Sequence, residues 1–255
     1  PGTRFAGNAI RVDSIGVEWY SPYRDRDLKQ YKTADIGDLD LPMGDVEQAL
    51  KVVYDTTEQI LKDNKTPMMI GGEHLVSLPV IQAVYKKYPN LHLIHLDAHT
   101  DLREEFLGRK LSHATFMRHV HHFVGDNKIY QFGIRSGDKH EFVWANSGHI
   151  NMRKFDFEGL DKTVAKLKDV PVYITIDLDV LDPSVFPGTG TPEAGGMQYK
   201  DLLWAFDQFE KLNNIVGADI VELAPMLDPS GASTAVAAKS LRELVLILQK
   251  QLENK

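Results

Sequence analysis

The sequence predicts a three-layer α/β/α fold, a mainly parallel sheet covered by helices on both faces. Three observations predict it. Short apolar runs at residues 68–70, 91–96, 128–134, 170–176 and 215–223 alternate with longer segments of helical periodicity. The runs read as nearly continuous apolar stretches, the mark of strands buried on both faces by crossover helices. No linker, low-complexity tract or internal repeat interrupts the alternation, so residues 1–255 read as a single domain.

Each element has its own signal. Residues 45–64 place Val46, Leu50, Val53, Ile60 and Leu61 near helical spacing. Met68, Met69 and Ile70 form a short strand that ends at Gly71-Gly72. A helix follows over Ser77–Lys87, with Pro79 tolerated in its first turn. The run LHLIHL at 91–96 is a strand leading into Asp97, and 128–134 and 170–176 are further strands. Residues 157–167 and 199–212 are helical, and the segment carrying His119, His121 and His122 continues helically from His113. IVGADIVEL at 215–223 is another strand, and the Ala- and Leu-rich 233–252 is a long closing helix.

Composition excludes several chemistries. The 255 residues contain no cysteine, which rules out a disulfide scaffold, a thiolate zinc site and a thiol nucleophile. No apolar run is long enough to cross a bilayer and no secretory signal is visible, so a cytoplasmic protein without a membrane partner is expected. The net charge of -7 argues against nucleic acid and suits a small cationic substrate.

In open parallel sheets, ligands bind beyond the carboxyl ends of the strands. Four predicted strand ends carry polar clusters: Gly71-Gly72-Glu73-His74, Asp97-Ala98-His99-Thr100-Asp101, Asp177-Leu178-Asp179, and Glu222. In extended chain, residues two apart face the same side, so Asp97, His99 and Asp101 converge, as do Asp177 and Asp179. His74, on a glycine turn that allows close backbone approach, adds a sixth ligand. One such Asp alone is an ordinary cap or turn residue. Four buried carboxylates together are prohibitive unless cations cancel their charge, and two divalent ions do so. A thiol-free, carboxylate-rich set with imidazole suits Mn²⁺, with Fe, Co, Ni or Zn as alternatives. Two such ions sharing a hydroxide make metal-assisted hydrolysis the expected reaction class.

These motifs, with Ser112-His113, Gly133-Ile134-Arg135-Ser136, Thr175 to Pro183, Pro187 to Glu193 with Gly195-Gly196, and Asp219 to Pro225, resemble the ordered signatures of the ureohydrolases, the family of arginase and agmatinase. They look most like the agmatinase branch, and the resemblance runs from Pro1 to the final helix. It implies an arginase-like sheet and two Mn²⁺ ions. One would be held by His74, Asp97, Asp101 and Asp177, the other by Asp97, His99, Asp177 and Asp179. Glu222 would grip a guanidinium, His113 would pass a proton to the departing amine, and Asp101, His113 and Glu222 count as catalytic residues. A metal-bridging hydroxide would attack the guanidinium carbon, giving urea and, from agmatine, putrescine for polyamine synthesis. A trimer or hexamer is expected on the same ground.

Two positions depart from the family pattern. Ala114 follows the Ser-His pair where relatives usually carry Gly. A methyl fits there on helical or extended backbone, but would displace His113 if positive φ were required. Pro1-Gly2-Thr3-Arg4-Phe5 resembles the middle of a motif that follows a first strand, so one strand of the sheet is expected to be missing from this chain.

Residues 102–111 (LREEFLGRKL) should overhang the pocket. Glu104 or Glu105 could receive the ammonium of agmatine, whereas Arg103 could receive the carboxylate of a guanidino acid. Agmatine is the leading substrate. A guanidinobutyrase, an arginase, a formimino-amide hydrolase with the same centre and a non-catalytic binding relative are the alternatives. His119 and His122 are expected on a solvated helix face, and His92 or His95 behind the ligands.

Overall fold

The computed structural model describes residues 2–253, with backbone only for 252 and 253. Pro1 of the N-terminal motif and residues 254–255 lie outside them. Helix α1 (Ala6–Asp13) leads to a two-stranded hairpin of β1 (Tyr20–Ser21) and β2 (Arg26–Asp27), then to helix α2 (Val46–Lys62). The main sheet is built from β3 (Met68–Ile70), β4 (His92–Leu96), β5 (Ile129–Ile134), β6 (Asn151–Lys154), β7 (Val172–Asp177) and β8 (Ile215–Val221). Their order is β3-β8-β7-β4-β5-β6 and every pairing is parallel. The connecting helices are α3 (Ser77–Lys87), α4 (Phe116–Val124), α5 (Lys139–Trp144), α6 (Leu160–Leu167), α7 (Tyr199–Phe209) and α8 (Ala232–Glu253).

The strands bury both faces, as their apolar runs require. Ile94, Leu96, Ile174, Ile176 and Ile220 face a core shared with α1, α6, α7 and α8. Leu93, Tyr173, Ile129 and Val216 face the opposite core, closed by α2, α3 and α4. The three-layer α/β/α arrangement follows. Helix α2 is capped by Asp45, which accepts from Gln48 N at 3.0 Å, and buries Val53, Thr57 and Leu61 at four-residue spacing. Val46, expected on that face, is exposed in the first turn.

Register decides where the polar strand ends meet. Leu96 pairs with Ile176, and Asp177 pairs with Val221, so Asp97, Asp177 and Glu222 emerge side by side. Ile70 pairs with Ile220, which brings the Gly71-Gly72 turn beside them. Gly71 is required by this approach, because a Cβ there would stand 2.5 Å from Val221 Cγ1.

The hairpin is clamped to α8 through buried charge. Glu243, fully buried, accepts from Ser21 Oγ at 2.8 Å and from Arg242 Nη2 at 2.6 Å, and pairs with Arg24 Nε at 3.2 Å. Removing one partner of such a group leaves unpaired buried charge. Glu243→Ala is therefore expected to cost about 3–5 kcal/mol of stability, read as the midpoint of chemical denaturation followed by circular dichroism. A midpoint equal to that of the unaltered protein would refute this account of the clamp.

Candidate metal centre and substrate site

Beyond the carboxyl ends of β3, β4, β7 and β8, the structure brings His74, Asp97, His99, Asp101, Asp177 and Asp179 together. His74 Nδ1 lies 3.1 Å from Asp97 Oδ2, 3.2 Å from Asp177 Oδ2 and 3.4 Å from Asp101 Oδ2. His99 Nδ1 lies 2.9 Å from Asp179 Oδ2 and 3.5 Å from Asp97 Oδ1. Backbone amides order the remaining oxygens: Asp177 Oδ1 accepts from Asp179 N at 2.8 Å and Asp179 Oδ1 from Ala98 N at 3.1 Å. The convergence of Asp101 differs from simple strand alternation. Its φ is +53°, so the chain has left the extended state and turns the carboxylate back toward His74.

The local structure fixes the imidazole of His74. Its ring stacks on Phe116 with centroids 4.0 Å apart. Nε2 lies 2.8 Å from Thr175 Oγ1, and that hydroxyl donates to Asp219 Oδ1 at 2.6 Å, while Tyr173 donates to Asp219 Oδ2 at 2.7 Å. With its own proton given to Asp219, Thr175 can only accept, so Nε2 carries the hydrogen and Nδ1 presents a lone pair. Nδ1 is buried with no hydrogen-bond partner and faces three carboxylate oxygens. In the neutral imidazole that lone pair would repel the carboxylates, so Nδ1 must either take up a proton or face a cation.

The ionisation of the cluster makes the same point. Burial raises Asp97, but His95, His74 and His99 outweigh it and hold it well below the usual carboxylate range. Burial and the charge of Asp97 push Asp101 well above that range, and burial with the charges of Asp179 and Asp97 does the same to Asp177. Asp179 is also raised, by burial and by Asp97. Burial would lower His74 and His99, yet the carboxylates beside them drive these up to about 9 and about 12. Without metal, protonated imidazoles are the only positive charges that pair with these carboxylate oxygens among the described residues. Divalent ions would supply that charge and free both nitrogens to act as ligands. The donor set fits a divalent metal centre, in two groups that share Asp97.

His95 is close enough to join the first group, but its chemistry excludes it. Gln131 Nε2 donates to His95 Nδ1 at 3.0 Å, so Nε2 carries the proton and donates to Asp97 Oδ2 at 2.7 Å. It orients a ligand from behind, as expected for one of the two strand histidines. Thr175, Asp219, Gln131 and Arg135 were not singled out individually from the sequence. A signal existed, since Thr175 and Asp219 are polar residues inside apolar strands and are register partners. Arg135 donates to the carbonyls of Gly133, Asp179, Val180, Leu181 and Glu193, pinning the turn that carries Asp179.

Glu222 sits beside the cluster with φ +67°. Its Oε1 accepts from His74 N at 2.8 Å, and no lysine or arginine among the described residues pairs with it. Glu222 is therefore not spent in an ordinary salt bridge with a described residue. Burial and the charge of Glu73 push it up to about 8.

His113 stands at the rim with its side chain 40% exposed, Nδ1 3.9 Å from Glu73 Oε2 and Phe106 packed edge-on at 5.5 Å. Burial and the nearby His99 and His74 lower its pKa. Ala114 lies in a 3₁₀ turn, His113–Thr115, with no positive φ, so its methyl is accommodated without displacing His113. In the overhanging loop, Arg103 is tied to Asp138 at 2.9 Å and Glu141 at 3.6 Å, and Glu104 to Arg118 at 3.1 Å. Glu105 is exposed and has no ion-pair partner among the described residues.

The model of the Arginase family matches residues 1–247. An agmatinase of Bacillus anthracis is 48% identical over 248 residues, covering 96% of this chain and 86% of that protein. A Clostridium difficile protein, its crystal structure described as that of a candidate agmatinase, superposes with TM-score 0.97 at 49% identity, covering 99% of this chain and 92% of that one. Arginase of Bacillus cereus, at 23% identity, shares the fold alone, with TM-score 0.81 over 95% of this chain and 92% of its own.

Proposed function

This chain belongs to the arginase family, and on that premise we propose that it hydrolyses agmatine to urea and putrescine at a two-metal centre. The observation that carries the proposal is Glu222, a buried carboxylate with no lysine or arginine partner among the described residues, held by His74 N–H directly beside the His/Asp cluster. Such a group suits a planar guanidinium, which it can meet with two parallel hydrogen bonds.

His74, Asp97, Asp101 and Asp177 would hold one ion, and Asp97, His99, Asp177 and Asp179 the other, with Mn²⁺ suited to this carboxylate-rich set. When bound, the metals supply Lewis acidity and a water acidic enough to serve as nucleophile at neutral pH. The remaining work falls to the chain. The Thr175–Asp219 pair keeps the proton of His74 on Nε2. Glu222 orients the guanidinium and neutralises its charge. His113, with Nδ1 turned toward Ser112 and Glu73, would deliver a proton from Nε2 to the departing amine, which cannot leave as an anion. Its lowered pKa leaves it neutral at rest and makes the imidazolium, once formed, a stronger acid toward the amine.

Agmatine is favoured at the far end of the pocket because Arg103, the cation that a guanidino acid would use, is already paired, and Glu105 remains free for an ammonium. We expect kcat/KM for urea release to be at least roughly tenfold higher with agmatine than with arginine or 4-guanidinobutyrate, since the unpaired charge of the wrong substrate end is costly to bury. Comparable values for the three would reject agmatine as the substrate. Release of formamide from formiminoglutamate in preference to urea from any guanidine would support the formimino-amide reading instead.

A further inference from the structure

His121 is largely covered, with 13% of its side chain exposed, unlike the solvated face expected for its neighbours His119 and His122. It lies in the last turn of α4. Asp126 lies in the turn that enters β5, and His149 ends the helical segment Ala145–His149 that leads into β6. The three therefore gather at the amino-terminal end of the sheet, opposite the catalytic cluster.

Their geometry is that of a ligand set. His121 Nε2 and His149 Nδ1 both lie 2.7 Å from one oxygen, Asp126 Oδ1, and one donor atom from each residue falls within 4.8 Å of the others. The rings are held by packing. His149 stacks on Trp144 at 4.5 Å and 17°, and His121 meets the same indole edge-to-face at 4.7 Å. Asn127 N donates to His149 O at 3.4 Å and ties the two connections together. Gly148, at φ +102°, lets the segment turn back into place. The Arg118 guanidinium lies 3.6 Å over Trp144, but Glu104 compensates its charge at 3.1 Å.

Without an ion, both imidazoles donate from their inward nitrogens to Asp126 Oδ1. Nδ1 of His121 is buried without a hydrogen-bond partner, and no protein group holds Nε2 of His149 among the described residues. A bound ion would displace those protons, and both inward nitrogens would then present lone pairs. We propose that His121, Asp126 and His149 form a second metal site, for a Zn²⁺-class divalent transition ion, separate from the catalytic centre. Two imidazoles, one carboxylate and a water make a tetrahedral set for Zn²⁺, whereas Mg²⁺ and Ca²⁺ prefer all-oxygen ligands. Asp126, with its side chain 54% exposed, gives the ion access. The ion would pin the turn after α4 to the segment before β6.

The test uses enzyme loaded with its catalytic metal, equilibrated with Zn²⁺ and washed. Catalytic metal and zinc are counted separately by elemental analysis for the unaltered protein, Asp126→Asn and His149→Gln. The unaltered protein should retain one more Zn²⁺ per chain than either variant, and its Zn²⁺ affinity should exceed theirs by more than about tenfold. Urea release should be the same for all three. Asp126 lies on an exposed turn, so its variant is expected to fold even if the histidine variant does not. Equal zinc content in the unaltered protein and Asp126→Asn would overturn the site and leave the triad as hydrogen bonds alone.

Discussion

Replacing Asp177 by Asn is expected to abolish measurable urea release from agmatine while leaving the fold intact. Asp177 is 3% exposed, with Oδ2 3.2 Å from His74 Nδ1 and Oδ1 accepting from Asp179 N. An asparagine has the same shape, and its carbonyl can still accept from Asp179 N. Its amide nitrogen, however, would replace an anionic acceptor with a donor in the space where cations belong. Under the proposed ligand set Asp177 serves both ions, so the change weakens both. Loss of a group that merely orients a ligand costs roughly 10- to 100-fold, and loss of a shared ligand should lower kcat/KM by at least ~10³-fold. Metal content per chain should fall in parallel, while far-ultraviolet circular dichroism stays unchanged. A variant with full metal content and undiminished turnover would remove Asp177 from the centre.

Glu222→Gln separates substrate binding from metal binding. His74 N can still donate to the amide oxygen of the substituted side chain, so the Gly71-Gly72 turn keeps its tether. The charge that faces the guanidinium is lost, together with one of two matched acceptors. Truncating one side of a buried charge pair costs about 2–5 kcal/mol, or roughly 30- to 5,000-fold in kcat/KM. Metal content should not change. Loss of metal in this variant would mean that Glu222 belongs to the metal set rather than to the substrate. Wild-type kcat/KM would mean that the guanidinium binds elsewhere.

The layered architecture was legible because its strands are buried on both faces and so carry apolar runs on both. The elements that escaped notice are those lacking this signal. Edge strand β6 reads Asn-Met-Arg-Lys, helix α5 is only six residues long and buries only Glu141, and α1 buries only Ala6 and Ile10. Most of the site was legible too, because register carries strand ends together whatever the loops do. Two-residue spacing located Asp97, His99, Asp177 and Asp179. It located Asp101 for an incomplete reason, since left-handed backbone, not alternation, aims that carboxylate. Partners such as Gln131, Asp219 and Arg135 act through hydrogen bonds across the sheet, and spacing along the chain carries no such information. The roles of Arg103 and Glu104 depended on Asp138, Glu141 and Arg118, residues distant in sequence that claim their charges.

The central claim is that the cluster around Asp97 works only when it holds divalent metal. Its most direct test is to strip the protein with chelator, assay urea release from agmatine, and restore Mn²⁺ while counting ions per chain. The account predicts no activity in the stripped protein and recovery that saturates at about two ions per chain. Full-rate agmatine hydrolysis by metal-free protein would contradict it.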